Sequence, residues 1–309
     1  MRLVFMGTPE FAVPSLNALI ESGHDVVLVI TQPDRPQGRG RKYIPPPVKV
    51  EALRNDIPLV QPERIKEGDI YKRLNEIRPD AVVVVAYGQI IPEDMLSMPR
   101  YGFINVHASL LPLYRGAAPI NRAIMDGCKV TGVSIMRLDA GLDTGPVYMK
   151  AEEIIRDTDD AVSLGKRLAM LGAEKLVETI YLIVRDEIKA IPQDHEKATY
   201  APMLKKEEGL IDWSMDAVTI FNRIRGLVPW PCAYTYMDTK LLKIWKATFS
   251  LEDHSLEYGL LMKDGRGMKV ACKDGFIIPQ KVQLEGKKIM DSQAFACGLK
   301  MSNVLLEAK

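Results

Sequence analysis

The sequence predicts an α/β chain: a Rossmann-like, mostly parallel sheet in an N-terminal domain, followed by a small β-barrel domain. Three observations carry that expectation. Runs such as residues 26–31 and 81–86 (AVVVVA) are apolar throughout, the pattern of parallel strands covered on both faces. They alternate with segments of helical period, as βαβ units do. Beyond residue 206 the pattern changes to short alternating runs split by turns at Asp264-Gly265, Lys273-Asp274-Gly275 and Glu285-Gly286. Several short strands at regular intervals read as a small barrel. At 309 residues the chain is long enough for two domains, and one core would be near its practical limit.

In order, residues 2–7 read as a buried strand and 9–21 as a helix stopped by Gly23. The strand at 26–31 completes a β-α-β start like that of a dinucleotide-binding fold. The turn Gly7-Thr8-Pro9-Glu10-Phe11-Ala12, however, lacks the second and third glycines of G-x-G-x-x-G, so its backbone could not approach a pyrophosphate closely. The topology is therefore read as Rossmann-like without that cofactor. Residues 32–47 (QPDRPQGRGRKYIPPP) keep no hydrophobic period and read as a long loop rich in glycine, proline and charge. The loop holds Arg35, Arg39, Arg41 and Lys42 against Asp34 alone. It is either a solvated surface loop or a basic finger that meets phosphates, and its length favours the finger. Helices at 48–56 and 69–77 bracket a short strand near Leu59. The strand at 81–86 exits through Tyr87-Gly88-Gln89-Ile90.

The stretch at 102–119, GFINVHASLLPLYRGAAP, organises the rest. Its first part alternates as a strand, so Asn105 and His107, two apart, project from the same face. Ser109-Leu110-Leu111-Pro112 then forces an exit from the sheet, because proline removes a backbone donor. An amide and an imidazole thus meet at a carboxyl edge, where open α/β sheets bind ligands. A helix at 118–126 and a strand at 132–138 follow, leading to Asp139-Ala140-Gly141-Leu142-Asp143-Thr144-Gly145. On composition, Asp139 and Asp143 are both candidates for a carboxylate in this site. A further strand at 147–154 and a long amphipathic helix at 160–186 complete the first domain, the helix stripe being core. Residues 191–206, with weak period and two prolines, read as a linker.

Composition excludes several classes. The net charge of +1 divides into +3 from Met203 onward and −2 before it, too small a split to establish a nucleic-acid partner. The four cysteines, Cys128, Cys232, Cys272 and Cys297, have no metal-ligand spacing and fit reduced thiols in a cytoplasmic protein. The N-terminal apolar run is too short for a signal sequence, and no run approaches membrane-spanning length. The expected location is the cytoplasm.

The string N-x-H-x-S-L-L-P-x-Y-R-G over residues 105–116, with Asp143-x-Gly145 downstream, resembles the signature of formyltransferases that use 10-formyltetrahydrofolate, and the resemblance covers essentially the whole chain. It implies formyl transfer to an amine with no metal and no NAD. It selects Asp143 over Asp139 and implies Asn105, His107 and Asp143 as the catalytic set. Asn105 and a charged His107 would hold the developing oxyanion; Asp143 would stabilise that cation and relay a proton through water. Ser109, Leu110, Leu111, Pro112, Tyr87, Gly88 and Ile90 are implied to line the folate pocket. The segments EEGLIDW and RIRGLVPWP resemble the C-terminal domain of the branch whose acceptor is initiator methionyl-tRNA, a five-stranded OB-like barrel that binds tRNA. In that branch an insertion where Arg35, Arg39, Arg41 and Lys42 lie contacts the acceptor stem. The expected organisation is a catalytic domain at 1–188, a linker at 189–205 and an OB-like tRNA-binding domain at 206–309, acting as a monomer. Other acceptors, glycinamide ribonucleotide or an amino sugar, and a non-enzymatic nucleic-acid binder are the alternatives. The C-terminal resemblance argues against the first two, and the Asn105, His107, Asp143 set against the third.

Overall fold

A computed structural model describes residues 1–37, 42–66, 69–265, 267–299 and 303–307. Its contacts divide the chain into two units, one of Met1–Gly116, Val130–Ile154 and Gly165–Ala201, the other of Ala117–Lys129, Ile155–Leu164 and Pro202–Lys309. Two stretches upstream of the sequence-read linker therefore group with the C-terminal residues.

The first unit is built on β1 (Arg2–Gly7), α1 (Val13–Glu21), β2 (Asp25–Ile30), β3 (Arg35–Gln37), β4 (Lys42–Ile44), α2 (Pro47–Arg54), β5 (Leu59–Val60), α3 (Ile70–Ile77), β6 (Ala81–Val85), α4 (Glu93–Leu96) and β7 (Phe103–His107). After α5 (Pro119–Met125), β8 (Val130–Arg137) and β9 (Val147–Ile154) return to the same sheet, and α6 (Ala161–Val184) follows. The sheet order is β5-β2-β1-β6-β7-β8-β9. Pairings from β5 through β7 are parallel, whereas β7–β8 and β8–β9 are antiparallel. Alternation along β1 sends Leu3 and Phe5 to one face, into a cluster with Leu16, Leu19, Leu176 and Ile180 from α1 and α6. Val4 and Met6 face the other way, into a cluster with Ile70 and Leu74 of α3 and Met95 of α4. Helices on both faces of a largely parallel sheet make the Rossmann-like layering that the apolar runs predict.

The segment expected as a loop at 32–47 holds two short strands, at Arg35–Gln37 and Lys42–Ile44, with residues 38–41 outside the described residues. β3 and β4 pair antiparallel as a two-stranded ribbon, Arg35 opposite Ile44 and Pro36 opposite Tyr43. Strands of three residues that carry proline and charge bury no face, so they leave no period to read. At the ribbon's root, Lys49 Nζ donates to both Asp34 oxygens, at 2.9 and 2.8 Å, and to Gln61 Oε1 at 2.8 Å.

In the second unit, α7 (Ala217–Gly226) precedes β10 (Ala233–Met237), β11 (Lys240–Leu251), β12 (Leu260–Asp264), β13 (Gly267–Cys272), β14 (Gly275–Leu284), β15 (Met290–Asp291), α8 (Ser292–Gly298) and β16 (Asn303–Glu307). The antiparallel order β11-β10-β16-β12-β13-β14 closes on itself through a β11–β14 pairing. The barrel therefore has six strands, one more than the five that the resemblance implies, because β16 pairs with both β10 and β12. Its core holds Ile244, Leu261, Val270, Ile277 and Val282, with Ile220 and Ile224 of α7. Asp216 caps α7, accepting from Thr219 N at 2.8 Å.

Candidate active site

Strand order reverses between β1 and β6, since the chain runs from β1 out to β2 and β5 before crossing back. That reversal opens a crevice at the carboxyl ends of the strands. Gly7 and Val85 are paired there, and a Cβ on Gly7 would stand 3.0 Å from Val85 O and 2.7 Å from Phe5 Cε1. The exits of β1, β2 and β6 are tied together, because Tyr87 O accepts from Thr8 Oγ1 at 2.9 Å and from Gln32 Nε2 at 3.3 Å.

Asn105 and His107 close β7 at the same edge and are 8% and 6% exposed. The Asn105 side-chain amide hydrogen-bonds to no described residue, which leaves its donors open to a ligand. His107 Nε2 lies 3.0 Å from the Tyr114 carbonyl oxygen. That oxygen only accepts, so Nε2 carries a proton and donates it. The other ring nitrogen, Nδ1, is then the one free for chemistry, and it faces Asp143 Oδ2 at 3.6 Å. The separation exceeds a direct hydrogen bond, so what the two groups share is a charge–charge attraction that arises when the imidazole is protonated.

Asp143 arrives from an unexpected direction. Because β8 runs antiparallel to β7, Arg137 lies beside Ile104 and the strand exits near the start of β7, not at its carboxyl end. The loop at 138–146 must fold back to bring Asp143 to His107. Asp143 takes φ 53°, a left-handed conformation, and its Oδ2 accepts from Gly116 N at 2.8 Å. Asp139, the competing carboxylate, is exposed and spent on its own loop, accepting from Gly141 N at 3.1 Å and Thr144 Oγ1 at 2.6 Å. Geometry thus separates the two acids that composition left level.

The residues expected around the folate divide by orientation. Ser109 is fully buried and its hydroxyl donates to Leu113 O. Leu111 is fully buried with Met136 and Val147, and its N–H donates to Ser134 Oγ at 3.0 Å. Leu110 is half-buried and meets Gly132, whose Cβ would stand 2.6 Å from Leu110 Cδ2; Pro112 is half-buried too. The Tyr87 ring turns into the core beside Met95 and Phe103, and burial pushes its hydroxyl up to about 12, so this residue offers its backbone to the edge. Gly88, at φ 89°, and Ile90, 83% exposed, stand open beside it. Of the basic residues expected to meet tRNA, Arg35 donates to Glu63 at 2.9 Å on the surface. Arg39 and Arg41 lie outside the described residues, and Lys42 is described only as part of β4. Among the described residues no group of His, Cys, Asp or Glu could hold a metal, and no helix is long and apolar enough to cross a membrane.

The sequence assigns no role to two residues of the site, Arg115 although it stands in the 105–116 string and Gln193 because it gives no signal. Gln193, inside the segment read as linker, donates through Nε2 to Asp143 O at 2.8 Å and Gly145 O at 2.7 Å. Arg115, buried at 2% exposure, donates to Gln193 Oε1 through Nε and Nη2, at 3.2 and 2.7 Å. Nothing in local composition distinguishes a linker glutamine from a solvated one.

Comparison with known proteins agrees with this architecture. A family model described as Formyl transferase matches residues 1–180, and one described as Formyl transferase, C-terminal domain, matches residues 203–300. The chain belongs to the formyl transferase family. Among curated relatives, the methionyl-tRNA formyltransferase of Citrifermentans bemidjiense is 48% identical over 302 residues, covering 97% of this chain and 94% of that one. That of Acetivibrio thermocellus is 46% identical over 303 residues, with 97% of each chain covered. Among solved structures, an N-formyltransferase from Helicobacter canadensis in complex with folinic acid and dTDP-3-aminofucose superposes with a TM-score of 0.68 at 20% identity, covering 90% of this chain and 98% of that one. Phosphoribosylglycinamide formyltransferase from Bacillus halodurans gives 0.51 at 23% identity and covers 60% of this chain and 95% of its own. At these identities the structures attest the fold.

Proposed function

We propose that this formyl transferase moves the formyl group of 10-formyltetrahydrofolate to the α-amino group of initiator methionyl-tRNA, giving N-formylmethionyl-tRNA and tetrahydrofolate. The observation that carries the reading is the extent of the kinship: relatives named methionyl-tRNA formyltransferase align at 46–48% identity through both units, barrel included. The phosphoribosylglycinamide enzyme matches 60% of the chain, whereas the N-formyltransferase in complex with dTDP-3-aminofucose matches 90% but at 20% identity, so it is the identity of the methionyl-tRNA enzymes across both units that supports this acceptor.

The site fits the chemistry of formyl transfer. The amine nitrogen attacks the formyl carbon, a tetrahedral oxyanion forms, the bond from that carbon to the folate nitrogen breaks, and the folate nitrogen leaves with a proton. The open Asn105 amide and the Nδ1–H of a cationic His107 donate to the oxyanion. Asp143, at 3.6 Å, stabilises that cation and orders the water that carries a proton from amine to leaving nitrogen. No nucleophilic side chain is required. The turn at Ser109–Pro112 and the exit at Tyr87–Ile90 line the donor's pocket, Tyr87 through its backbone. Arg35, Arg39, Arg41 and Lys42 meet the acceptor end of the tRNA, and the barrel holds its body. Residues 1–188 form the catalytic part, 189–205 the connection and 206–309 the tRNA-binding part, in a cytoplasmic monomer.

The test is transfer of labelled formyl from 10-formyltetrahydrofolate to methionyl-tRNA, with glycinamide ribonucleotide and a nucleotide-linked amino sugar alongside. Label in methionyl-tRNA alone is expected. Label only in a small acceptor would overturn the choice of acceptor, and label in none would overturn the reading.

A further inference from the structure

We propose that Gln193 is a positioning residue for Asp143, itself oriented by the buried Arg115; the proposal rests on the reading of Asp143 given above. The loop at 138–146 leaves β8 at the end remote from His107 and has to double back, with Asp143 in a left-handed conformation at φ 53°. A conformation disfavoured for a non-glycine residue persists only where its surroundings hold it. Here the hold is explicit. The two N–H groups of one side-chain amide bridge the carbonyls of Asp143 and Gly145, at 2.8 and 2.7 Å, and fix the turn on both sides of Thr144. Gly116 N holds the carboxylate itself.

The amide of Gln193 has one orientation that works. Its oxygen faces the Arg115 guanidinium, which only donates, and its nitrogen faces two carbonyls, which only accept; a flip would set like against like three times. Arg115 is in turn fixed. Its Nη2 donates to His195 Nδ1 at 3.1 Å, its N–H to Thr199 O at 2.9 Å, and its carbonyl accepts from Ala201 N at 2.7 Å. Gly116 completes the seam, since a Cβ there would stand 2.8 Å from Ala201 O. Residues 193–201 are thus zipped to 115–116, and this seam supplies both holds on Asp143. Gln193 touches no reacting group; it sets where the carboxylate stands.

Gln193→Glu and Gln193→Ala test this. Glutamate keeps an acceptor for Arg115, now a charged one, and abolishes both donors to the loop. Both variants are expected to lose about 10- to 100-fold in kcat, as a displacement of order 1 Å can, with KM for donor and tRNA within about two-fold of the parent. Added to Asp143→Ala, Gln193→Glu is expected to cost nothing further, the non-additivity of residues acting through one another. Hydrogen exchange at the Gly116 amide, which needs no substrate, is expected to quicken in both Gln193 variants and in Asp143→Ala, which removes its acceptor. Parent turnover in Gln193→Glu would assign the residue to anchoring Arg115 and overturn the proposal, as would losses additive with Asp143→Ala or unchanged Gly116 exchange. Should Gln193→Ala fail to fold, Gln193→Glu decides alone. A parent chain inactive on methionyl-tRNA sinks the functional reading, and the exchange result still decides the positioning role.

Discussion

Asp143→Asn removes one charge and changes little else. Asparagine tolerates the left-handed conformation that Asp143 adopts at φ 53°, and its amide oxygen can still accept from Gly116 N. What disappears is the negative charge 3.6 Å from His107 Nδ1, between side chains only 7% and 14% exposed. At an effective dielectric near 20, unit charges at that separation attract by roughly 4 to 5 kcal/mol. The asparagine dipole returns part of that. A loss of about 2.7–4 kcal/mol of transition-state stabilisation remains, the range found for one preorganised donor, or about 100- to 1000-fold in kcat. Rapid-quench single-turnover transfer of labelled formyl, at saturating donor and methionyl-tRNA, reads that step directly. Binding of both substrates should stay within about two-fold, because the charge acts only once the imidazolium is present. A single-turnover rate within about five-fold of the parent would refute the assignment of Asp143 to the chemistry.

Asn105→Ala should also fall about 100- to 1000-fold in kcat while its melting temperature barely moves, since the amide bonds to no described residue; a large drop in melting temperature would make Asn105 a structural residue. Burial pushes the Cys232 and Cys272 thiols up to about 12 and about 11, so iodoacetamide at pH 8 should label exposed Cys297 in the native protein and spare both, as intact mass and peptide mapping will show. Glu208 is held below its ordinary carboxylate range chiefly by its hydrogen bond from Arg122, so it adds stability above about pH 4.5 that is lost as pH falls through its lower folded value. Glu208→Gln should therefore melt lower at pH 7 by about 1 kcal/mol of stability, and the gap should close near pH 3; a gap constant with pH would show that the carboxylate charge is not its source.

The sequence made some of this architecture legible because burial writes directly into composition. The run at Ala81–Val85 is buried throughout, and β7 and α6 fall where their periods put them. Strand direction is not written there. An apolar run reads the same in a parallel or an antiparallel neighbour, so nothing in residues 130–137 announced that β8 reverses and delivers Asp143 from the far end. The β3–β4 ribbon was unreadable because neither strand buries a face, and β16 because five residues at the chain's end gain their role only by pairing with β10 and β12. The catalytic candidates were visible through a motif that also contains Arg115, whereas the part Arg115 plays depends on a contact with Gln193, 78 residues away in sequence. Periodicity carries no trace of such pairs.

The central claim is that Asn105 and His107 receive the oxygen of the transferring formyl group. A crystal structure of the chain with a 10-formyl folate analogue that has carbon in place of N10, and so keeps the formyl group where the donor carries it but cannot transfer it, measures this most directly. The account predicts the folate ring system against the Ser109–Pro112 turn, with its formyl oxygen able to come within about 2.7–3.1 Å of the Asn105 amide nitrogen and His107 Nδ1 as the tetrahedral centre forms. A folate bound elsewhere, or one whose formyl group points away from β7 with Asn105 and His107 still in contact only with protein and solvent, would contradict it.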